Sequence, residues 1–286
     1  MKKIISKFLG FYLNALAIVA PRKAGLLGFK LFCYPYRIKI TGRQHQFLQT
    51  AHPITLDHQG EKIRVYRWGN GPKNILLLHG WQSHSYRWKS YVEALDKSLY
   101  TIYAFDAPGH GLSSGKFLSV PLYSEVIQKV IGHIGNVHTV VGHSLGSFTA
   151  LYTFYTNPEM LPDKLIATAT PGNAREFFNF YKLQLGISAT CMKLVIQRFE
   201  KEIHHSPDYF SAPAFAKHLT IPGLLIHDEE DTETSVENSL AIHQAWKNSA
   251  LIITKGKAHN LKSVDVVNQV VNFIQQEPVS QYTLKR

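Results

Sequence analysis

Short apolar runs recur along the chain at intervals that suit strands alternating with helices. The runs at 74–78, 100–105, 137–141, 165–169, 223–226 and 250–254 each have the length of a strand buried on both faces. Between them, residues 86–97, 120–134, 145–156, 234–247 and 263–276 carry helix-compatible patterns. This alternation predicts an α/β fold, a mostly parallel sheet flanked by helices. Upstream, 54–58 and 62–68 read as two strands of a hairpin around Gln59-Gly60, and Gly69-Asn70-Gly71-Pro72 as a turn. Residues 172–212 interrupt the alternation with two helical patterns, 174–186 and 188–204, and a loop through Pro207 and Pro213. An insertion there is expected to lie over the carboxyl edge of the sheet.

The N-terminal segment has a different pattern. Ile4, Ile5, Phe8, Leu9, Tyr12, Leu13, Leu16, Ala17 and Ala20 form one helical stripe, with Lys3, Ser6, Lys7, Gly10 and Asn14 opposite. This predicts an amphipathic helix that Pro21 ends. The pattern resumes through Leu26, Leu27, Phe29, Leu31 and Phe32 until Tyr34-Pro35-Tyr36 breaks it. The uncharged run 8–20 is too short to span a bilayer comfortably. Lys2 and Lys3, an apolar run and small residues also make the layout of a signal peptide. Pro21 is a poor residue after a cleavage site and the pattern continues past it, so a retained helix is expected, with export as the alternative.

Charge sharpens this division. The 286 residues carry a net +11, yet nine Lys and Arg and no Asp or Glu fall within residues 1–56, leaving 22 basic and 20 acidic residues after them. The chain is therefore divided into a basic arm, 1–44, and a main domain, 45–286, large enough to need no covalent staples. Interleaved with apolar residues, the arm is expected to meet an anionic membrane surface through residues 1–40 or to pack on the body. No nucleic-acid recognition motif is visible, and the protein is expected in the cytoplasm, associated with membrane if the arm binds one. Cys33 and Cys191 give no disulfide framework and no zinc pattern, and no cofactor is expected.

Candidate chemistry collects at the ends of the predicted strands, where ligands bind in open α/β sheets. Gly142-His143-Ser144-Leu145-Gly146 has the form G-x-S-x-G between a strand and a helix, the context in which such a serine is a nucleophile. A serine nucleophile needs a base, a group to orient it, and donors for an oxyanion. His79-Gly80-Trp81 ends the first buried run, so the Trp81 N–H is one candidate donor and the Leu145 N–H the other. His259 follows the last strand and is the candidate base. In the run His227-Asp228-Glu229-Glu230-Asp231, both Asp228 and Asp231 are candidates for the acid. Asp106, in the turn Asp106-Ala107-Pro108-Gly109-His110-Gly111, precedes the serine and is expected to hold that turn, and His110 and His143 are expected to be structural.

These five segments together resemble the α/β-hydrolase family over about residues 55–276. The resemblance implies the α/β-hydrolase fold with a helical cap at 172–212, and it puts the acid at Asp231, three residues after Asp228. It implies a serine hydrolase cleaving a carboxylic ester or thioester through an acyl-enzyme, with Ser144, His259 and Asp231 as triad. An acyl transferase, or a lipase or lysophospholipase, would use the same residues, and a binding protein on this scaffold is the rival from another class. Ser144 in place of Asp argues against dehalogenases and epoxide hydrolases. The cap aromatics Phe177, Phe178, Phe180, Tyr181 and Phe199 are expected mainly to pack the cap on the body.

Overall fold

The computed structural model describes residues 2–276, and the side chains from Ile5 onward, so the expectations for Lys2, Lys3 and Ile4 on the arm lie outside the described side chains. Eight strands form one sheet: β1 (His52–His58), β2 (Glu61–Trp68), β3 (Lys73–Leu78), β4 (Tyr100–Phe105), β5 (Thr139–His143), β6 (Lys164–Thr168), β7 (Gly223–Asp228) and β8 (Ser249–Thr254). The helices are α1 (Lys2–Val19), α2 (Pro21–Phe32), α3 (Gly42–Leu48), α4 (Lys89–Ala94), α5 (Val120–Ile134), α6 (Leu145–Thr156), α7 (Ala174–Leu185), α8 (Ala189–Ile203), α9 (Ala212–Ala216), α10 (Val236–Ala245) and α11 (Val264–Gln275).

The strand order is β1-β2-β4-β3-β5-β6-β7-β8. β1 and β2 are antiparallel, β2 is antiparallel to β4, and the pairs from β4 to β8 are parallel. The continuous apolar runs are explained by cover on both faces. In β3, Leu76 and Leu78 enter the core under α5, α6 and the cap, whereas Ile75 and Leu77 enter the core under α4 and α11. Parallel strands align their carboxyl ends, which brings the loops after β3, β5, β7 and β8 to one edge.

The cap consists of α7 and α8 followed by the short α9. The arm is joined to it: α2 packs along α8, and α1 crosses α7 and α8. Leu13, Ala17, Ala24, Phe29 and Cys33 share one core with Phe178, Val195 and Phe199 of the cap. Close approach requires small residues, and a Cβ on Gly10 would lie 1.9 Å from the Leu185 carbonyl oxygen. Asn14 fixes the same contact with its amide, donating to the Gly186 carbonyl at 3.0 Å and accepting from the Ser188 N–H at 2.7 Å.

This corrects the expected polarity of the first helix. Gly10 and Asn14, assigned to its polar side, face the cap with Leu13 and Ala17. Phe8 and Tyr12, assigned to its buried stripe, point outward with Ile5, Phe11, Ile18 and Val19. The helix is apolar on two faces, and contact is set by small size rather than by hydrophobicity. Pro21 behaves as expected, ending α1 and serving as the first residue of α2. Helix α3 was not expected. Thr41 caps it, with its own N–H donating to the Gln44 side chain at 2.8 Å, so Thr41-Gly42-Arg43-Gln44 is a capping box. Residues 86–97 hold a 3-10 turn, Ser85–Trp88, and the short α4 rather than one long helix.

Candidate active site

Ser144 stands between β5 and α6 with φ +52° and ψ −122°, a conformation that costs a non-glycine residue roughly 1–3 kcal/mol. Its neighbours hold it there. Its N–H donates to the Thr168 carbonyl at 2.8 Å, and the Ser147 hydroxyl donates to the Ser144 carbonyl at 2.8 Å. Glycine is required on either side: a Cβ on Gly142 would lie 2.4 Å from Ser147 Cα, and one on Gly146 2.3 Å from the Leu78 carbonyl oxygen.

His259 lies in the loop between β8 and α11. Its Nε2 is 3.0 Å from Ser144 Oγ, and its Nδ1 is 2.8 Å from Asp231 Oδ2. With a carboxylate as acceptor, Nδ1 carries the proton and Nε2 accepts from the serine hydroxyl. The Asp231 carboxylate is buried. Oδ1 accepts the Glu233 and Thr234 N–H groups, and Oδ2 accepts the Thr234 hydroxyl at 2.9 Å. His227 Nε2 approaches the same Oδ2 at 3.2 Å. Burial pushes the Asp231 carboxyl up, but the hydrogen bonds from His227, His259 and the Thr234 N–H outweigh it and hold the group well below the usual carboxylate range.

The structure separates the two aspartates. Asp228 makes no contact with His259. Its Oδ2 accepts the Thr254 hydroxyl at 2.7 Å and the Lys257 N–H at 2.9 Å, bracing the loop that carries His259. Asp106 also serves a turn, accepting Ser85 N–H and hydroxyl at Oδ1 and Leu112 N–H and Tyr66 hydroxyl at Oδ2.

The two candidate oxyanion donors flank the serine. A Cβ on Gly80 would stand 3.0 Å from Ser144 Cβ, so the turn that carries Trp81 lies directly against the elbow. The Trp81 N–H has no acceptor among the described residues, and the Leu145 N–H opens α6, where no intrahelical carbonyl reaches it. The next N–H, of Gln82, is donated to His110 Nε2 at 3.1 Å.

Three buried histidines fasten this edge. His79 accepts the Ala107 N–H at Nε2 and donates from Nδ1 to the Gly80 carbonyl. His110 donates from Nδ1 to the Pro108 carbonyl, and His143 donates from Nε2 to the His259 carbonyl at 2.8 Å. Burial pushes His79 and His110 down to about 3, and His143 also falls well below the ordinary imidazole value, mainly through burial. All three are neutral at pH 7, as His79 and His110 must be for Nε2 to accept.

A cavity of about 830 Å³ opens over Ser144 and His259. Cap residues Phe177, Phe180 and Tyr181 line it, and so do Leu31, Phe32, Tyr34 and Ile38 from the arm and Arg87 and Lys262 from sheet-edge loops. Sequence reasoning missed the arm, Arg87 and Lys262 as walls, and His227 and Thr234 as supports of Asp231. His227 at the end of a buried run was the available signal. Among the described residues no group of three or more His, Cys, Asp or Glu is arranged to hold a metal ion.

The chain belongs to the alpha/beta hydrolase family, which matches residues 75–252, more than half of its length. It is similar to a human serine hydrolase-like protein, 37% identical over 116 residues that make up 38% of this chain and 56% of that protein. It is also similar to a pimeloyl-[acyl-carrier protein] methyl ester esterase of Nitrosomonas europaea, 28% identical over 109 residues, 38% of this chain and 42% of that one. The match thus spans about half the length of these curated relatives. Among solved structures, a membrane phospholipase A described as a bacterial virulence factor shares the fold with a TM-score of 0.64, at 15% identity, over 93% of this chain and 99% of that one.

The neutral histidines set a pH dependence. Their folded values lie below the unfolded value of about 6.5, so the unfolded chain binds more protons as pH falls from there toward about 3. Stability is full above pH ~6.5 and declines below it, by up to about 1.4 kcal/mol per pH unit for each histidine. Urea midpoints between about pH 7 and pH 5 should fall, and His110→Gln should flatten the slope by one group's share. A midpoint independent of pH would contradict neutral burial.

Proposed function

We propose that this hydrolase cleaves a carboxylic ester or thioester through an acyl-enzyme on Ser144. The observation that carries this is the unbroken line from Ser144 Oγ to His259 Nε2 at 3.0 Å and from His259 Nδ1 to Asp231 Oδ2 at 2.8 Å. As Ser144 Oγ attacks the carbonyl carbon, its proton passes to His259 Nε2, and Asp231 stabilises the imidazolium. The carbonyl oxygen becomes an oxyanion between the Trp81 and Leu145 N–H groups, where one lost donor typically costs about 3–4 kcal/mol. Collapse breaks the bond to the alcohol or thiol, which leaves with the proton from Nε2. Water then gives a proton to His259, attacks the acyl carbon and expels Ser144 Oγ, which recovers the proton. Esterases among the relatives support this reading, as does the largely apolar cavity. The same atoms would serve an acyl transferase if an acceptor other than water entered the second half.

A second property is favoured by the outward face of α1. Phe8, Phe11, Ile18 and Val19 are 71%, 74%, 82% and 79% exposed on one side of the helix. No helix among the described residues is long and apolar enough to cross a membrane. A stripe of this kind on an arm with nine cations and no acid in residues 1–56 suits the surface of an anionic bilayer. Each such side chain contributes about 1.5–3 kcal/mol when fully buried, and each nearby Lys or Arg about 1 kcal/mol.

Ser144→Ala should abolish labelling by a fluorophosphonate probe and turnover of p-nitrophenyl butyrate. Retained labelling would remove Ser144 from the reaction, and a wild-type protein without turnover would be a binder. Asp231→Asn should lower kcat on that ester by about 10⁴-fold, because an amide cannot hold the Nδ1–H tautomer. Full-length protein should sediment with phosphatidylserine-containing vesicles, and the triple variant Phe8→Ser, Phe11→Ser, Ile18→Ser should not. Equal sedimentation of the two would reject the membrane role.

A further inference from the structure

The cavity over Ser144 has two chemically different ends. Phe32, Leu118, Phe177, Phe180, Phe199 and Phe210 make one of them apolar. Arg87 and Lys262 make the other cationic, beside His84, which burial pushes below the ordinary imidazole value. The two cations come from different loops, Arg87 from the 3-10 turn Ser85–Trp88 and Lys262 from the segment just after His259. Arg87 Nη2 donates to the Asn260 carbonyl at 3.1 Å, so the cationic wall begins one residue beyond the base.

No ion pair among the described residues neutralises these two cations, and the one carboxylate beside His259 on this lining, that of Glu233, stands 3.7 Å from His259 Nε2. Among the described residues, neither Arg87 nor Lys262 has a carboxylate within ion-pair distance. Arg87 Nε and His84 Nδ1 are buried without a hydrogen-bond partner. The nearby Asp106 already accepts four hydrogen bonds in its own turn. Burial lowers Arg87 to about 10, and burial followed by the Arg87 charge lowers Lys262, as expected of two cations that share a wall.

Chemistry decides which part of a substrate meets which end. The leaving group must depart within reach of His259 Nε2, because it takes the proton from that atom. The alcohol or thiol portion therefore lies on the His259 side, where Arg87 and Lys262 stand, and the acyl chain lies toward the aromatic end. We propose that Arg87 and Lys262 bind an anionic phosphate carried on the alcohol or thiol portion of the substrate. This deepens the ester or thioester hydrolase reading and rests on it. Arg87 provides a planar fork of donors matched to phosphate oxygens, and Lys262 a point charge beside it. Two sources share that chemistry, a glycerophosphate ester and a coenzyme A thioester.

The test uses two matched pairs with the same acyl chain on the full-length protein. One pair is octanoylglycerol phosphate against octanoylglycerol. The other is octanoyl-coenzyme A against the octanoyl thioester of N-acetylcysteamine. Wild type should favour the phosphate-bearing member of one pair by about tenfold or more in kcat/KM, mainly through KM. The pair that shows the preference names the source. The ratio within that pair should fall toward one in Lys262→Gln, at an exposed position, and in Arg87→Gln. Because it is a ratio within each variant, a general loss of activity cancels. A wild-type ratio near one in both pairs, or a ratio unchanged by both substitutions, would overturn the proposal. Failure on all four substrates together with absent fluorophosphonate labelling would overturn the hydrolase reading as well.

Discussion

The strained backbone of Ser144 is the constraint on which the rest of the site depends. A residue at φ +52° is held only where its surroundings over-determine it, and here the surroundings are the sheet itself. The β3-β5-β6 order places the Thr168 carbonyl to receive the Ser144 N–H, and it brings Gly80 and Gly146 into near contact with the turn. Three glycines remove the Cβ atoms that would push these strand ends apart. The roughly 1–3 kcal/mol of strain is offset by hydrogen bonds belonging to the parallel sheet, so the position of Ser144 follows from strand register rather than from loop chemistry.

His259 and Asp231 are held differently, by hydrogen bonds from buried groups. Asp231 is stabilised as an anion by two histidines, the Thr234 hydroxyl and two backbone N–H groups. His227 Nδ1 stands 2.7 Å from the Ser239 hydroxyl, and its Nε2, 3.0 Å from the Thr234 carbonyl, is the donor to that oxygen. His143 fixes the His259 backbone through its carbonyl. Side chain and main chain of His259 are therefore pinned by separate groups, which leaves Nε2 facing Ser144.

The fold and the central residues were legible in the sequence for a physical reason. Strands buried on both faces must be apolar throughout, and chemistry at their carboxyl ends must interrupt them with polar residues, so Ser144 and His259 stand out. Asp228 and Asp231 could not be separated by residue type, since both follow β7 closely. Only the bonds from Thr254 and Lys257 to one, and from His259 to the other, distinguish them. The first helix was misread because hydrophobicity patterns assume one buried face. This helix has two apolar faces and docks through Gly10, Asn14 and Ala17, whose small or polar character scores against burial. Arg87 and Lys262 were illegible as partners because 175 positions of chain separate them and neither lies in a recognisable motif.

The arm changes where selectivity resides. Tyr181 on the cap donates to the Gly28 carbonyl at 2.9 Å, and Phe32 stacks on Phe178 with ring centroids 4.3 Å apart. Gly25 and Gly28 lie so close to α8 that a Cβ on either would come within 2.8 Å of Leu194 or Val195. Arm and cap thus form one packed layer, and the aromatic end of the cavity is built from both. That wall of the cavity is then formed by the joint between residues 31–38 and α7, not by the cap alone. The same layer carries the exposed stripe of α1 on its outer side. The outer stripe and the inner wall are joined through one set of helix packings, with Gly10, Gly25 and Gly28 at close approaches.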